Sequence, residues 1–321
     1  MKMNKTLKHR FATLKIHMLY FQKQEENKMK YVVEVKNISK IIKGKEVLKN
    51  INFSIEEGKV VGLIGPNGSG KSTLLKIMTG LYKPTTGDTF YNGISLKENY
   101  EKAIENVGCI IENPTFYKDL TGKENLEIFK SMFKDIDENI VKEIVKIVNI
   151  EKSLGKKFKT YSLGMKERLG LAGALLNSPR VLILDEPTNG LDPLGLKELR
   201  SFIKGLKFTT TIISSHLLSE IENLCDEVIF IKSGEIIDRK ILKNQTNKKY
   251  VDFEVDDYSK AKLLLSNMAV GENLKIYATD EEISDINKEL VNNNIKVYRI
   301  YETSNNLEDE YFNKLKEGNN D

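Results

Sequence analysis

The chain has 321 residues, of which 40% are hydrophobic and 30% are charged, as in a large globular domain joined to a smaller one. Its net charge of +4 arises from residues 1–28, which carry seven basic and two acidic side chains, while the remaining 43 basic and 44 acidic residues nearly cancel. The body of the protein therefore gives no electrostatic reason to expect a nucleic-acid partner, and no apolar run approaches the roughly 20 residues that span a bilayer.

The first 28 residues are rich in lysine and weakly patterned, and Met29 stands directly before the first good strand. We predict that this basic tail is disordered or that translation begins at Met29; attachment to a membrane surface is the alternative. Cys109 and Cys225 lie far apart in the chain, without the spacing of metal ligands. We interpret both as buried free thiols of a reducing compartment.

Short strands precede a glycine-rich loop. Tyr31–Val35 and Ile51–Ile55 have the pattern of strands, and Lys59–Ile64 reads as a buried strand. The residues that follow, GPNGSGKST, match the phosphate-binding pattern G-x-x-x-x-G-K-[ST], and an apolar helix continues from them. The predicted phosphate-binding residues are Gly65, Pro66, Asn67, Gly68, Ser69, Gly70, Lys71, Ser72 and Thr73. The order of strand, loop and helix distinguishes this motif from a chance turn.

The chemistry of this loop suits a nucleotide. Glycines let several backbone N–H groups point inward at phosphates, and the helix behind them adds the positive end of its dipole. The Lys71 ammonium can reach the β- and γ-phosphates, and the Ser72 hydroxyl can bind Mg²⁺.

Residues 121–180 change to helical spacing and form a predicted helical insertion. Val181–Leu184 then supplies four aliphatic residues in a row, which is typical of a strand buried on both faces of a parallel sheet. Asp185 and Glu186 come at its carboxyl end, where such sheets bind ligands. Asp185 can hold the hydration shell of Mg²⁺, and Glu186 can orient the attacking water; a pair of solvated loop acids is the alternative.

Strands and helices continue to alternate beyond this point. The strand Thr211–Ser214 leads to His216, which we predict to contact the γ-phosphate; a structural histidine is the alternative. A polar stretch at 243–249 marks a predicted domain boundary. Beyond it we predict a small α+β domain with strands Tyr250–Val255, Leu274–Tyr277 and Ile295–Tyr301 and helices Ala261–Met268, Ile283–Asn292 and Leu307–Lys316.

The order of these motifs resembles that of the nucleotide-binding subunits of ATP-binding cassette (ABC) transporters over Tyr31–Ile237. Besides GPNGSGKST and VLILDE, Ser162–Met165 stands where the family has its signature loop, Asn189–Asp192 resembles its D-loop, and His216 resembles its switch histidine. The resemblance implies an α/β fold: a P-loop ABC ATPase core, made of a RecA-like sheet and an antiparallel β part, with a helical insertion. We therefore predict an ABC domain over 29–242 and a small α+β accessory domain over 243–321, with ATP and Mg²⁺ as cofactors.

The resemblance also implies a head-to-tail dimer, here a homodimer, in which each ATP lies between two chains. Ser162 and Gly164 would contact the γ-phosphate of the ATP that the other chain holds, and Asp192 of the D-loop is a further predicted nucleotide-binding residue. The alternative is that Ser162 only caps a helix. Helix capping and phosphate binding are compatible, because both use the N–H groups at the helix N-terminus. Glu186 and His216 are the implied catalytic residues.

Several positions depart from the usual family pattern. Ile42 stands where most members place an aromatic residue under the adenine, and Val47 is a further candidate for an apolar adenine contact. Glu112 occupies the place of a glutamine and joins Ser72 and Asp185 as a predicted metal residue, with a solvated loop glutamate as the alternative. The signature loop is also unusual, since Tyr161, Leu163 and Met165 replace its common residues.

Glu112-Asn113-Pro114 together with the signature YSLGMK resembles the subgroup that exports bacitracin, lantibiotics and similar antimicrobial peptides. This implies an ATPase at the cytoplasmic face of the membrane that drives a separate polytopic permease. We predict that the permease docks near Glu112–Leu120, on Phe116 and Tyr117. The alternatives are a soluble cassette ATPase that acts on ribosomes or nucleic acid, a chromosome or repair ATPase, and a regulatory module without turnover.

Overall fold

The computed structural model describes residues 31–112, 114–133, 136–191, 193–206, 208–221, 224–242, 249–265, 269–270 and 274–303. The basic tail and the predicted helix Leu307–Lys316 lie outside this part of the chain. Two compact units divide the protein, residues 1–242 and 243–321, and each is described by itself. No helix within the described ranges is long and apolar enough to cross a membrane.

An antiparallel sheet opens the first unit. It contains β1 (Tyr31–Ile42), β2 (Lys45–Glu56), β4 (Thr86–Tyr91) and β5 (Ile94–Ser95) in the order β2-β1-β4-β5. Lys43 and Gly44 join β1 to β2 with φ of 50° and 78°, which are the positive values that a two-residue hairpin turn requires. The two predicted strands in this region are therefore segments of one long hairpin.

A mostly parallel sheet forms the centre of the first unit. Its strands are β3 (Val60–Ile64), β6 (Val107–Ile110), β7 (Val181–Leu184), β8 (Thr210–Ser215), β9 (Glu227–Lys232) and β10 (Glu235–Ile241). They lie in the order β10-β9-β3-β8-β7-β6, and β10 alone of these six runs antiparallel to its neighbour. Every residue of β3 and β7 is buried, as the aliphatic runs predicted. The carboxyl ends of β3, β6, β7 and β8 therefore meet at one edge, where the predicted site residues follow them.

Helices connect these strands. They are α1 (Lys71–Met78), α2 (Tyr100–Ile104), α3 (Gly122–Ser131), α4 (Glu138–Ile147), α5 (Leu163–Leu175), α6 (Pro193–Gly205) and α7 (Leu218–Ile221). The predicted helical insertion corresponds to α3, α4 and α5. It begins with a capping box in which the Thr121 hydroxyl accepts from the Glu124 N–H and the Glu124 carboxylate accepts from the Thr121 N–H.

The second unit contains β11 (Lys249–Val255), α8 (Tyr258–Leu264), β12 (Ala269–Val270), β13 (Leu274–Ala278), α9 (Asp280–Asn292) and β14 (Val297–Thr303). Its antiparallel sheet has the order β12-β13-β11-β14, which is the ferredoxin-like arrangement of a β-α-β-β-α-β chain. Helix α9 begins three residues before the predicted start, because Thr279 and Glu282 form a capping box there. Its core includes Phe253, Leu274 and Leu290.

The two cysteines differ in their surroundings. Cys225 is buried, as predicted, but Cys109 is exposed. The prediction for Cys109 is wrong because successive side chains of a strand point to opposite faces of the sheet: Gly108 and Ile110 are buried, whereas Cys109 between them lies on the other face and is exposed.

Candidate nucleotide-binding and hydrolysis site

The loop between β3 and α1 is shaped by its glycines. A Cβ on Gly65 would lie 2.3 Å from the Ile231 carbonyl oxygen, and one on Gly70 would lie 2.7 Å from the Leu48 side chain. Gly70 also has φ of 108°, a value that side chains rarely permit. Any larger residue at these two positions would force the loop away from the strands that support it.

Lys71 and Ser69 place polar atoms inside this loop. Lys71 is only 5% exposed, and its ammonium donates to the carbonyl oxygens of Gly65 at 2.7 Å and Pro66 at 3.2 Å. The same ammonium lies 3.4 Å from Glu186 Oε1. The Ser69 hydroxyl is buried without a hydrogen-bond partner within the described residues.

The Asp185 carboxylate, which follows β7, accepts hydrogen bonds from two hydroxyl groups. Its Oδ1 accepts from Ser214 Oγ at 2.6 Å and from Ser72 Oγ at 3.2 Å. Carboxylate and hydroxyl oxygens are the hard ligands that Mg²⁺ prefers, and this ion is usually held by one or two carboxylates together with substrate phosphates. The donor set therefore fits Mg²⁺, although the described residues contain no cluster of three or more ligating His, Cys, Asp or Glu residues.

Glu186 is fixed from three sides. Its backbone has φ of 50°, an unusual value for a residue with a side chain, and its N–H donates to Ser214 Oγ at 2.8 Å. Its Oε2 lies 2.7 Å from His216 Nδ1, while Oε1 faces Lys71. The structure thus brings the two predicted catalytic residues into direct contact at the carboxyl ends of β7 and β8.

Glu112 follows β6 and reaches the neighbouring helix. Its Oε1 lies 2.5 Å from the Lys76 ammonium, and this hydrogen bond raises the pKa of Lys76. The Glu112 side chain is 64% exposed and its backbone has φ of 63°. Among the described residues, the partner of this predicted metal residue is therefore a cation.

The signature loop begins helix α5. Ser162 is its N-cap and accepts from the Met165 N–H at 3.3 Å, so the capping interpretation holds in this structure. Gly164 lies in the first turn, and Leu163 lies close enough to Gly190 that a Cβ there would approach Leu163 to 2.4 Å. Asp192 lies outside the described residues.

The two adenine candidates lie at opposite ends of the first hairpin's turn. Ile42 ends β1 opposite Lys45, and Val47 lies in β2; both are half-buried. The Val47 carbonyl oxygen would lie 3.1 Å from a Cβ on Gly70, so Val47 packs directly against the phosphate loop.

Sequence reasoning missed Ser214 and Lys76. Ser214 is the last residue but one of the buried strand β8 and lies two residues before His216, and that position could have indicated it. Lys76 follows Ser72 by four residues, which places the two side chains on one face of α1. Phe116 was predicted as a docking residue for the permease, and this is wrong because Phe116 is 8% exposed and its ring packs in tilted contacts against Phe129 and Phe158.

A cavity of about 820 Å³ adjoins the signature loop between α4, α5 and α6. Its lining combines apolar side chains with the charged residues Lys146, Glu167, Arg168, Lys197 and Glu198. Burial raises the pKa of Glu167 to about 7. Arg168 donates to the Val148 carbonyl oxygen and pairs with Glu198, so it ties α5 to both neighbouring helices.

The fold and this arrangement define a P-loop ATPase with a helical insertion. The family model described as "ABC transporter" matches residues 48–189. The bacitracin transport ATP-binding protein BcrA of Enterococcus faecalis is 39% identical over 89% of this chain and 97% of its own length. The lantibiotic transport ATP-binding protein SrtF of Streptococcus pyogenes is 42% identical over 64% of this chain and 89% of its own length.

A solved structure, the dimeric post-hydrolysis state of the ATP-binding cassette MJ0796 bound to ADP and Pi, matches 66% of this chain and 99% of its own length with a TM-score of 0.61 and 26% identity. The chain belongs to the ABC transporter family. It is an ATP hydrolase that drives transport, and the predicted fold and family are confirmed. The comparisons give no support to action on ribosomes or nucleic acid. ATP-binding subunits of this family work with membrane permeases and dimerise.

Proposed function

We propose that this chain powers the export of an antimicrobial peptide through a separate polytopic permease and so contributes to resistance. The similarity to BcrA carries the proposal, because it extends over 97% of that protein and so includes the second unit. Glu112 and the YSLGMK signature support the same subgroup. In this proposal the subunit works at the cytoplasmic face of the membrane.

The phosphate loop would hold ATP as follows. Backbone N–H groups within residues 67–73, at the N-terminus of α1, would receive the phosphates, and Lys71 would exchange its contact with Glu186 for the β- and γ-phosphates. Ser72 and Asp185 would hold Mg²⁺, with Glu112 as a further oxygen ligand. When bound, this ion neutralises phosphate charge and orients the γ-phosphoryl group.

Glu186 and His216 would act on the attacking water. Glu186 accepts the water's hydrogen bond and polarises it toward the γ-phosphorus. The contact between His216 Nδ1 and Glu186 fixes the position of the imidazole ring, which would contact the γ-phosphate. Positioning of this kind supplies most of the catalysis in phosphoryl transfer.

The complete site would need a second copy of the chain. Ser162 and Gly164 lie at the N-terminus of α5, where anions are favoured, and in a head-to-tail homodimer they would face the γ-phosphate on the partner. Asp192 would line the same interface. Ile42 and Val47 would contact the adenine.

The permease would dock beside Glu112. The exposed apolar side chains there are Leu81, Tyr82, Tyr100 and Tyr117, with exposed fractions of 61%, 41%, 49% and 64%. Tyr100 packs on Gly80, the residue before Leu81, and the Tyr82 ring lies 5.2 Å from the ammonium of Lys76, which contacts Glu112. A patch of exposed aromatic residues is typical of an interaction surface.

The test combines a pull-down with a susceptibility assay. The tagged full-length chain is captured from detergent-solubilised native membranes, and bacitracin and lantibiotic susceptibility is measured in a strain that lacks the gene. We expect a polytopic protein to co-purify, and we expect the wild-type chain but not the Glu186→Gln variant to restore resistance. Capture of ribosomes without a membrane protein would contradict the transport role, and unchanged susceptibility would contradict the substrate class.

A further inference from the structure

Three acidic residues follow the carboxyl ends of two neighbouring strands, at the edge of the sheet where the triphosphate is to bind. Strands β6 and β7 run parallel with Ile110 opposite Leu184, and the Asp185 N–H donates to the Ile110 carbonyl oxygen at 2.9 Å. The chain therefore leaves β6 beside Asp185 and Glu186, and Glu112 adds a third negative charge to theirs. Like charges at such a site repel a triphosphate unless a cation offsets them.

Lys71 lies beside Glu186, and Lys76 supplies the corresponding cation for Glu112. Lys76 lies on α1 four residues after Ser72, and Ser72 itself donates to Asp185, so the lysine is one helical turn from the metal site. Its ammonium lies 2.5 Å from Glu112 Oε1 and 5.2 Å from the centre of the Tyr82 ring. The Lys76 side chain is only 19% exposed. Its position is thus fixed by the ring and the carboxylate together.

We propose that Lys76 is a positioning residue for ATP binding and hydrolysis, which holds Glu112 beside the magnesium site and offsets its charge. The proposal rests on the Mg²⁺–ATP site described above. Lys76 engages Oε1, which leaves Oε2 of the same carboxylate to serve the metal. Because the lysine acts through Glu112, its importance depends on the negative charge at residue 112.

This dependence gives the test. The full-length chain and its variants are titrated with a non-hydrolysable ATP analogue, with and without Mg²⁺, so that affinity is measured without turnover. Lys76→Met leaves an uncompensated carboxylate, and we expect it to weaken binding of the Mg²⁺–analogue complex about threefold to tenfold. Glu112→Gln in the same chain removes that charge and is expected to restore the affinity, and Lys76→Arg is expected to keep it.

Glu112→Gln alone provides a second measurement if Lys76→Met fails to fold. This substitution removes the carboxylate that pairs with Lys76. The lysine's positive charge then attracts the negatively charged analogue, so binding of the Mg²⁺-free analogue is expected to tighten. Lys40→Met is the matched control: Lys40 also lies over the Tyr82 ring, at 6.0 Å, but donates to the Lys83 carbonyl oxygen rather than to a carboxylate. Its affinity is expected to equal that of the wild type.

The proposal is overturned if Lys76→Met binds like the wild type, or if the double variant binds no better than Lys76→Met. It is also overturned if Glu112→Gln weakens binding of the Mg²⁺-free analogue. A wild-type chain that binds no nucleotide under any condition would contradict the proposed Mg²⁺–ATP site itself, so the two failures are distinguishable.

Discussion

Glu186 lies between a lysine and a histidine. Its two carboxylate oxygens face Lys71 at 3.4 Å and His216 at 2.7 Å, and Ser214 holds its backbone N–H. A residue held by so many contacts can tolerate a positive φ, which costs about 1–2 kcal/mol for a residue with a side chain. The backbone strain at Glu186 thus coincides with the place where the proposed chemistry needs a precisely aimed carboxylate.

Replacing Glu186 by Gln is expected to lower the rate of ATP hydrolysis by about 10²- to 10⁴-fold, the contribution typical of a general base. ATP binding should persist because the phosphate loop is unchanged, and an ATP-bound dimer should accumulate. Phosphate release and gel filtration with Mg²⁺–ATP measure the two effects. Glu46→Gln, at an exposed position in β2, is the control, and an unchanged turnover of Glu186→Gln would refute the catalytic role.

Glu167 gives a prediction for pH. Burial raises its pKa from 4.5 to about 7, so the folded chain keeps a proton that the unfolded chain releases between these values. The free energy of unfolding of the wild type should therefore fall as the pH rises from 4.5 to about 7. Glu167→Gln has no such proton to lose, so its free energy of unfolding should not show this decrease. We expect the variant to gain about 1–2 kcal/mol relative to the wild type between pH 4.5 and 8, allowing for partial exposure.

Urea unfolding at several pH values measures this difference. Glu151→Gln is the control, because Glu151 is an exposed acid of the same helical insertion. A difference between wild type and Glu167→Gln that does not change with pH would show that the proton is not linked to folding.

At the scale of elements, the segment after β6 is built onto the helical insertion. Pro114 packs against Gly170 of α5 so closely that a Cβ on Gly170 would approach its ring to 2.7 Å. Phe116 stacks with Phe158, whose ring in turn contacts Tyr161, the residue before Ser162. The loop that starts at Glu112 is therefore connected to the signature serine through packed side chains.

Asn125 at the start of α3 holds the same segment. Its buried amide accepts from the Tyr117 N–H at 2.9 Å and donates to the carbonyl oxygens of Tyr117 and Thr121 at 3.1 and 2.9 Å. Asn125→Ala would leave the Tyr117 N–H unpaired, while the Tyr117 and Thr121 carbonyl oxygens keep the N–H groups of Leu120 and residue 125. We expect the substitution to destabilise the fold by about 1–3 kcal/mol in urea unfolding. Asn139→Ala, at an exposed position in α4, should change stability little. Equal effects of the two substitutions would argue against the role of Asn125.

At the scale of the whole molecule, each unit has a hydrophobic core of its own. The first includes Leu74, Leu75 and Ile183, and the second includes Phe253, Leu274 and Leu290. Every proposed nucleotide-binding residue belongs to the first unit. Damage to one core should therefore leave the other unit folded.

Phe253→Ala removes a fully buried ring from the second core and is expected to destabilise that unit by about 3–5 kcal/mol. Hydrogen exchange should then accelerate in β11, β13 and β14, while affinity for ATP stays within twofold of the wild-type value by our estimate. Leu74→Ala is the matching substitution in the core of the first unit. Leu74 lies in α1 directly after the phosphate loop, so this substitution should weaken nucleotide binding. Loss of ATP binding in Phe253→Ala would show that the units depend on each other.

The amino-acid sequence by itself determined the phosphate loop, the aliphatic strand that ends in Asp185-Glu186, the helical insertion and the ABC family. These features depend on short-range chemistry, namely glycine spacing, hydrophobic period and residue order, all of which are visible along the chain. Only the tertiary structure decided that Lys76 faces Glu112, that Ser214 joins Asp185 to Glu186, that Phe116 is buried, and that Cys109 is exposed. Each of these depends on which strands and helices lie side by side, and chain order does not give strand order.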